Sequence, residues 1–325
     1  MLHIAVIGGS GHFWAALSGI AGRADLELAA AAPGTVGEDM AGFYKAAEEH
    51  HLAPRRYGSA EALLDAEAVD VAVVNPWFCD TAKCSAMCLK RGIHVYSEKP
   101  LATELSDLSA LQEVWRASNR ALGAMFEIRY EPWFQAVKRS VEAGEIGEVR
   151  ALHGRKSYRL GARGPLYRER ALYGGTIPWV AIHAVDWVLS LGGRCLSVSA
   201  LHSSRCNRDH GDLEMTAALL MQLTNGVIAT VTADYLRPEG AASHGDDRLL
   251  ITGTRGMVEA VGGRVYLENE LPRRELPLPP AENPFLRFLG LIGAPEAEGE
   301  AQAAFEATRV CLLARVDADQ KRREG

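Results

Sequence analysis

The stretch SEKPLA, residues 97 to 102, closes the apolar run HVY and sets Glu98 and Lys99 where a strand gives way to a turn. Proline after the lysine fixes the backbone direction. A partly desolvated ammonium loses basicity, so Lys99 can polarise an alcohol or carbonyl oxygen, or exchange a proton with it, and Glu98 is adjacent to tune it. The stretch GGTIPWVAIHAVDW (174 to 187) sets His183 in apolar surroundings, with Trp179 four residues before it and Asp186 three after. Residues three and four apart share a helical face. Trp179 therefore faces the pocket that His183 faces, and Asp186 either orients the imidazole or makes a structural bond. For His183 taken alone, a satisfied core histidine is the competing reading.

A third stretch, IGGSGHFW (7 to 14), is a glycine-rich turn after the first strand and before a helix. Such a turn lets backbone N–H groups approach a pyrophosphate, with the positive end of the helix dipole behind them. Read as Gly8-x-Ser10-x-x-Phe13, the motif has serine and phenylalanine in place of its later glycines; read as Gly9-x-Gly11-x-x-Trp14, it ends on tryptophan. A bulky third position crowds the helix against the strand unless the turn widens. At the end of the second strand, where an acid would read a ribose 2′-hydroxyl or an arginine would accept a 2′-phosphate, the sequence has Pro33. The choice between NAD and NADP is thus not written in the usual place, and Thr35 is the nearby hydroxyl able to bond a ribose.

These stretches need a scaffold. LHIAVI (2 to 7), LELAAAA (26 to 32), VDVAVVN (69 to 75) and HVYSE (94 to 98) are apolar runs of strand length separated by helical patterns. Continuous apolar strands between helices predict a doubly wound parallel sheet covered on both faces, over residues 1 to 122. Ligands bind outside the carboxyl ends of such strands, so loops 8 to 13, 33 to 37, 75 to 80 and 98 to 100 should converge. Residues 123 to 325 read differently: strand-like runs from GEVRALHGRKS to RVYLE, with Asn225-Gly226 as a hairpin signal, predict a large open, mainly antiparallel sheet with helices on one face. LPRRELPLPPAENP (271 to 284) reads as a linker and GEAQAAFEATRVCLLARVDADQKRR (299 to 323) as a closing helix.

In this order GGSGH, Asn75-Pro76, SEKPLA, FEIRYEP (126 to 132), GEIGEV (144 to 149), the GG…H…D run and HGDDRLLITGTRGMVEA (244 to 260) resemble the Gfo/Idh/MocA family of NAD(P)-dependent oxidoreductases along essentially the whole chain. The resemblance implies a Rossmann domain followed by an α+β domain whose open sheet makes homodimer or homotetramer contacts. It implies NAD or NADP as cofactor, lined by Gly8, Gly9, Ser10, Gly11, His12, Phe13, Pro33, Thr35, Asn75, Pro76, Trp77, Glu98 and Lys99. Lys99 would be the catalytic lysine and His183 the active-site histidine. The family pattern has an aspartate four residues before that histidine, where this chain has Trp179, and a histidine after the Asn-Pro loop, where it has Asp80.

Trp179 leaves His183 and Lys99 to manage the proton, with Tyr158 the candidate to replace the missing acid. Between sheet and histidine run Arg155, Lys156, Arg159, Arg163, Arg168 and Arg170 against the single acid Glu169, a density suited to a substrate carboxylate or phosphate, to solvent or to an oligomer contact. Lys99, Arg129, Tyr158, Arg163, Trp179 and His183 are the candidate substrate contacts. The expected reaction is hydride transfer to or from a hydroxyl-bearing carbon of a sugar, polyol or sugar acid. Two alternatives stay open: cleavage or elimination with recycling of bound NAD, and a cofactor-binding sensor without catalysis.

Composition narrows the rest. Acids outnumber bases 41 to 35, for a net charge of −6, which argues against a polyanionic nucleic-acid partner. Uncharged runs stop short of the roughly 20 apolar residues of a spanning helix, and MLHIAVIGG reads as a first strand and not a signal peptide. The cytoplasm follows as the default. Cys79, Cys84 and Cys88 have no metal-ligand spacing, and Cys195, Cys206 and Cys311 are scattered, so neither a metal site nor a disulfide framework is expected.

Overall fold

The computed structural model describes residues 1–324, as two compact units. The first comprises Met1–Met125, Ala171–Gly174 and Asn283–Thr308. Its strands are β1 (Leu2–Ile7), β2 (Leu26–Ala32), β3 (Arg55–Arg56), β4 (Val71–Val74), β5 (His94–Ser97) and β6 (Leu122–Ala124), all parallel, in the order β3-β2-β1-β4-β5-β6. Every residue of β4 is buried, as the unbroken apolar run requires when helices cover both faces. The order reverses between β1 and β4, which places the crevice beside their carboxyl ends.

The sequence places everything after residue 122 in the second domain; the structure returns Asn283–Thr308 to the first unit. The reason is packing. Asn283 caps the helix Pro284–Leu291, accepting from Leu286 N, and donates through Nδ2 to the Ala15 carbonyl and Ser18 Oγ at 3.0 and 3.1 Å. Phe285 and Phe288 are buried in the first core, with ring centroids 5.6 and 5.2 Å from that of Tyr96.

The second unit comprises Phe126–Arg170, Gly175–Glu282 and the residues from Arg309. Its sheet contains β7 (Val149–Tyr158), β8 (Cys195–Ser203), β9 (Thr216–Leu223), β10 (Ile228–Asp234), β11 (Gly245–Gly253), β12 (Met257–Val261), β13 (Arg264–Glu268) and β14 (Arg274–Glu275). The order is β14-β13-β12-β11-β7-β10-β9-β8, antiparallel except for β7 beside β10. Asn225 and Gly226 both have positive φ, as a type I′ connection of β9 to β10 demands. The stretch 271 to 284, read from sequence as a linker, carries β14 at the sheet edge. The helix Ile182–Gly192 covers one face, close enough at β7 that a Cβ on Gly154 would lie 3.1 Å from the Ala184 methyl. On the opposite face Leu201, Leu220 and Ile228 are exposed. Among the described residues no helix is long and apolar enough to cross a membrane.

Candidate active site

In the first unit the loops after β1, β2, β4 and β5 are tied together by hydrogen bonds. Ser10 N donates to the Asn75 carbonyl at 2.9 Å. Gly8 has φ +90°, and a Cβ there would lie 2.3 Å from the Asn75 carbonyl and Pro76 N, so no other residue fits. At Gly11 a Cβ would meet the Glu98 carboxylate at 2.0 Å. That carboxylate is buried and takes His12 N at 2.6 Å and Lys99 N at 2.8 Å, with His12 Nδ1 2.8 Å away. Burial alone would raise its pKa; the charge and hydrogen bonds of His12, with the Lys99 charge, outweigh burial and hold it below the usual carboxylate range. Glu98 therefore clamps the glycine turn to the end of β5 as an anion, and Lys99, 1% exposed, follows it directly.

The acid missing from the end of β2 comes from further along the chain. Gly37, with φ +84°, turns the backbone so that Glu38 points back toward the strand. Its Oε1 accepts from Gly9 N at 3.0 Å and from the Ser10 hydroxyl; its Oε2 accepts from Gly34 N at 2.9 Å and Thr35 N at 3.2 Å. Four donors fix one nearly buried carboxylate between the glycine turn and the end of β2. Pro33 is thus the strand's last turn residue, without a charge of its own. Thr35 is otherwise engaged than expected: its hydroxyl donates to Asp80 Oδ2 at 2.8 Å and accepts from Trp77 N at 3.3 Å.

Phe13 needs a correction too. Its ring is in the core, edge-on to Phe43 at 5.3 Å, so the crowded third position is resolved by turning the side chain inward and not toward a cofactor. Asn75, by contrast, is buried with neither amide oxygen nor amide nitrogen partnered, at the end of β4 beside the glycine turn. Orphaned groups of this kind are costly in an interior. A ligand offering both a donor and an acceptor, as a nicotinamide dinucleotide does, fits the place.

In the second unit His183 is buried on the helix Ile182–Gly192, which continues from a π-helical turn, Ile177–Ala181, holding Trp179. Such turns are frequent where a side chain must be aimed for function. Arg129 is not available for a substrate as expected: its fork grips Asp186 bidentately, Nε to Oδ2 at 2.7 Å and Nη2 to Oδ1. Asp186 is 1% exposed, and breaking such a pair would leave an uncompensated buried charge.

Three strand ends meet beside this helix's sheet. Register puts Asp234 of β10 opposite Ser157 and Gly245 of β11 opposite Tyr158, which gathers Tyr158, Tyr235 and His244 at one edge. His244 stacks on Tyr158 with centroids 4.9 Å apart. Lys156, buried, pairs with Asp247 at 2.7 Å and lies 4.8 Å from the Tyr158 ring centroid. Burial raises the Tyr158 phenol above its ordinary pKa although Lys156 pulls it down, so it is a neutral O–H donor at neutral pH. The Arg163 guanidinium lies over Tyr235 at 4.8 Å and Tyr167 at 5.2 Å, and Tyr167 meets Trp179 edge-on at 6.2 Å.

Residues 2–126 match the model of an oxidoreductase family with an NAD-binding Rossmann fold, and residues 134–259 match the Gfo/Idh/MocA C-terminal domain. The chain belongs to the Gfo/Idh/MocA family of oxidoreductases. It is 40% identical to a Thermotoga maritima structure named as an oxidoreductase, across 98% of each chain, with a TM-score of 0.92. It is 26% identical over 224 residues to trans-1,2-dihydrobenzene-1,2-diol dehydrogenase of Xenopus tropicalis, covering 65% of this chain and 61% of that one, so it spans under two thirds of that relative. Inositol 2-dehydrogenase of Rhizobium meliloti is 25% identical over 256 residues, 75% of this chain and 71% of the relative.

The first unit is accordingly the NAD-binding domain of this Gfo/Idh/MocA protein. Sequence reading brought Gly8 to His12, Asn75, Pro76, Glu98 and Lys99 to that domain's crevice, and the structure gathers them there. It missed Glu38, whose only local signal is the preceding glycine, and it missed Tyr235 and His244, which strand register alone brings to Tyr158.

Proposed function

We propose that this protein is a dehydrogenase that moves a hydride between NAD or NADP and a hydroxyl-bearing carbon of a sugar, polyol or sugar acid. The observation that carries the reading is Lys99: buried at the carboxyl end of β5, directly after a carboxylate that the glycine turn's own His12 holds ionised. The bound nicotinamide supplies the hydride acceptor or donor. Lys99 holds the reacting oxygen and stabilises its negative charge as the C–H bond breaks. We assign His183 the hydroxyl proton, taken in oxidation and returned in reduction, and Tyr158 keeps a neutral O–H. The relatives are named for a diol and for inositol, which supports the substrate class.

The test is titration of purified protein with NADH and NADPH, followed by energy transfer from its six tryptophans to the reduced nicotinamide, and then oxidation of a polyol, sugar and sugar-acid panel. Saturable binding with net NAD(P) reduction by at least one hydroxyl substrate is expected. Binding with product formed and no net reduction would favour cofactor recycling; no binding at all would end the reading.

The exposed Leu201, Leu220 and Ile228 share one face of the open sheet, so we place homodimer or homotetramer contacts there. Light scattering should give a multiple of 35.2 kDa, and a monomer at micromolar concentration would refute it. Cys79, Cys84, Cys88 and Cys206 carry free thiols, which suits a reducing cytoplasm.

A further inference from the structure

We propose that Arg163 and Tyr235 hold a carboxylate of the substrate, so that the enzyme acts on sugar acids in preference to neutral sugars and polyols. The inference rests on the dehydrogenase reading for its site and goes beyond it in naming the substrate class. Three neighbouring cations already have acids. Lys156 is paired with Asp247, Arg155 with Asp234 and Asp246, and Arg170 with Glu214 and Asp319. Arg163 has no carboxylate partner among the described residues. Its Nε and Nη2 donate to the loop carbonyls of Leu160 and Arg159 at 2.9 and 3.2 Å, with His244 Nε2 3.5 Å from Nη2.

Those bonds hold the guanidinium in place over the rings of Tyr235, Tyr167 and Tyr158, at 4.8, 5.2 and 6.0 Å, and leave Nη1 as an unused donor. Tyr235 is 2% exposed and its hydroxyl has no partner. Burial drives that phenol well above its ordinary pKa, so it stays a donor. An orphaned buried O–H beneath an acid-free guanidinium is a site lacking an anionic acceptor. One cation and one hydroxyl suit the single charge of a carboxylate and fall short of a phosphate dianion. The chain of contacts from Arg163 through Tyr167 to Trp179, one turn before His183, ties this corner to the histidine helix.

The test is equilibrium binding to the NADH-loaded protein, by calorimetry, of D-gluconate, D-galactonate and D-glucuronate against D-glucose, D-galactose and D-glucose 6-phosphate. The acids should bind at least about tenfold more tightly than their neutral counterparts. Arg163→Met should weaken the acids about 10- to 100-fold, as loss of a charge-assisted hydrogen bond does, with neutral sugars and NADH within about twofold. Tyr235→Phe keeps the ring and should weaken the acids severalfold, which leaves a readout if the arginine variant does not fold. No preference for the acids, equal loss for acid and neutral ligands in Arg163→Met, or tighter binding of the sugar phosphate overturns the proposal. The two readings also fail separately. Faster oxidation of neutral polyols defeats the carboxylate site and leaves the dehydrogenase; selective, Arg163-dependent binding of acids that never reduce NAD does the reverse.

Discussion

Replacing Lys99 by methionine is expected to lower kcat/KM for hydride transfer by about 10³-fold or more. NADH affinity should stay within about threefold, because the loss falls on the transition state. The two effects separate because the residue makes two kinds of contact. Its backbone N–H donates to Glu98, and methionine preserves that clamp on the glycine turn. Its ammonium is what would stabilise an oxyanion, and methionine removes it with little change in buried volume. Arginine should not rescue, since a planar fork cannot replace a compact point charge in a side-chain site only 1% exposed. If Lys99→Met turns over as fast as the parent, Lys99 is structural. If neither protein turns over while both bind NADH, the sensor account of this chain gains.

The legible part of the fold was the part with a local cause. β1, β2, β4 and β5 announce themselves because a strand buried on both faces must be apolar throughout, and the Asn225-Gly226 turn because few pairs tolerate two positive φ angles. β3 and β6, two and three residues long, have no periodicity to detect and exist through backbone pairing alone. Phe285 and Phe288, three apart, mark an apolar helix face, yet nothing local says that the face returns to the first core. The site divides in the same way. Glycines reveal a turn, but Gly11 is required by a carboxylate 87 positions on, and the fork of Arg129 is filled by Asp186, 57 positions on. Burial of a charge is a local cost, whereas its partner is a consequence of topology.

The parallel neighbours β7 and β10 carry the same lesson to function. A parallel pair needs a crossover, so the chain between them is long, and Tyr158 and Tyr235 stand 77 positions apart in sequence while their ring centroids lie 6.4 Å apart. The basic segment containing Arg163 was conspicuous by composition. Its meaning depends on placement as well as on pairing: Lys156 and Arg170 have acids, and Arg163 lies over the rings of Tyr235 and Tyr167.

NAD should bind at least about 100-fold more tightly than NADP, and Glu38 should be the cause. A carboxylate held by Gly9 N, Ser10 Oγ, Gly34 N and Thr35 N cannot swing aside without leaving those donors unpaired. Adjacent to the end of β2 it can accept a ribose hydroxyl in exchange for the Ser10 hydroxyl, its one side-chain donor, while a 2′-phosphate there would face a fixed like charge. Glu38→Gln keeps one acceptor and removes the charge. The variant should bind NAD about tenfold more weakly and narrow the preference to within about tenfold, as measured by NADH and NADPH titrations side by side. Part of its cost should appear as a lower Tm in the absence of cofactor, because an amide cannot accept from all four donors that now share the carboxylate. Equal affinity of the parent for NADH and NADPH would mean that the adenosine ribose lies away from Glu38, and that the carboxylate serves only to brace the turn.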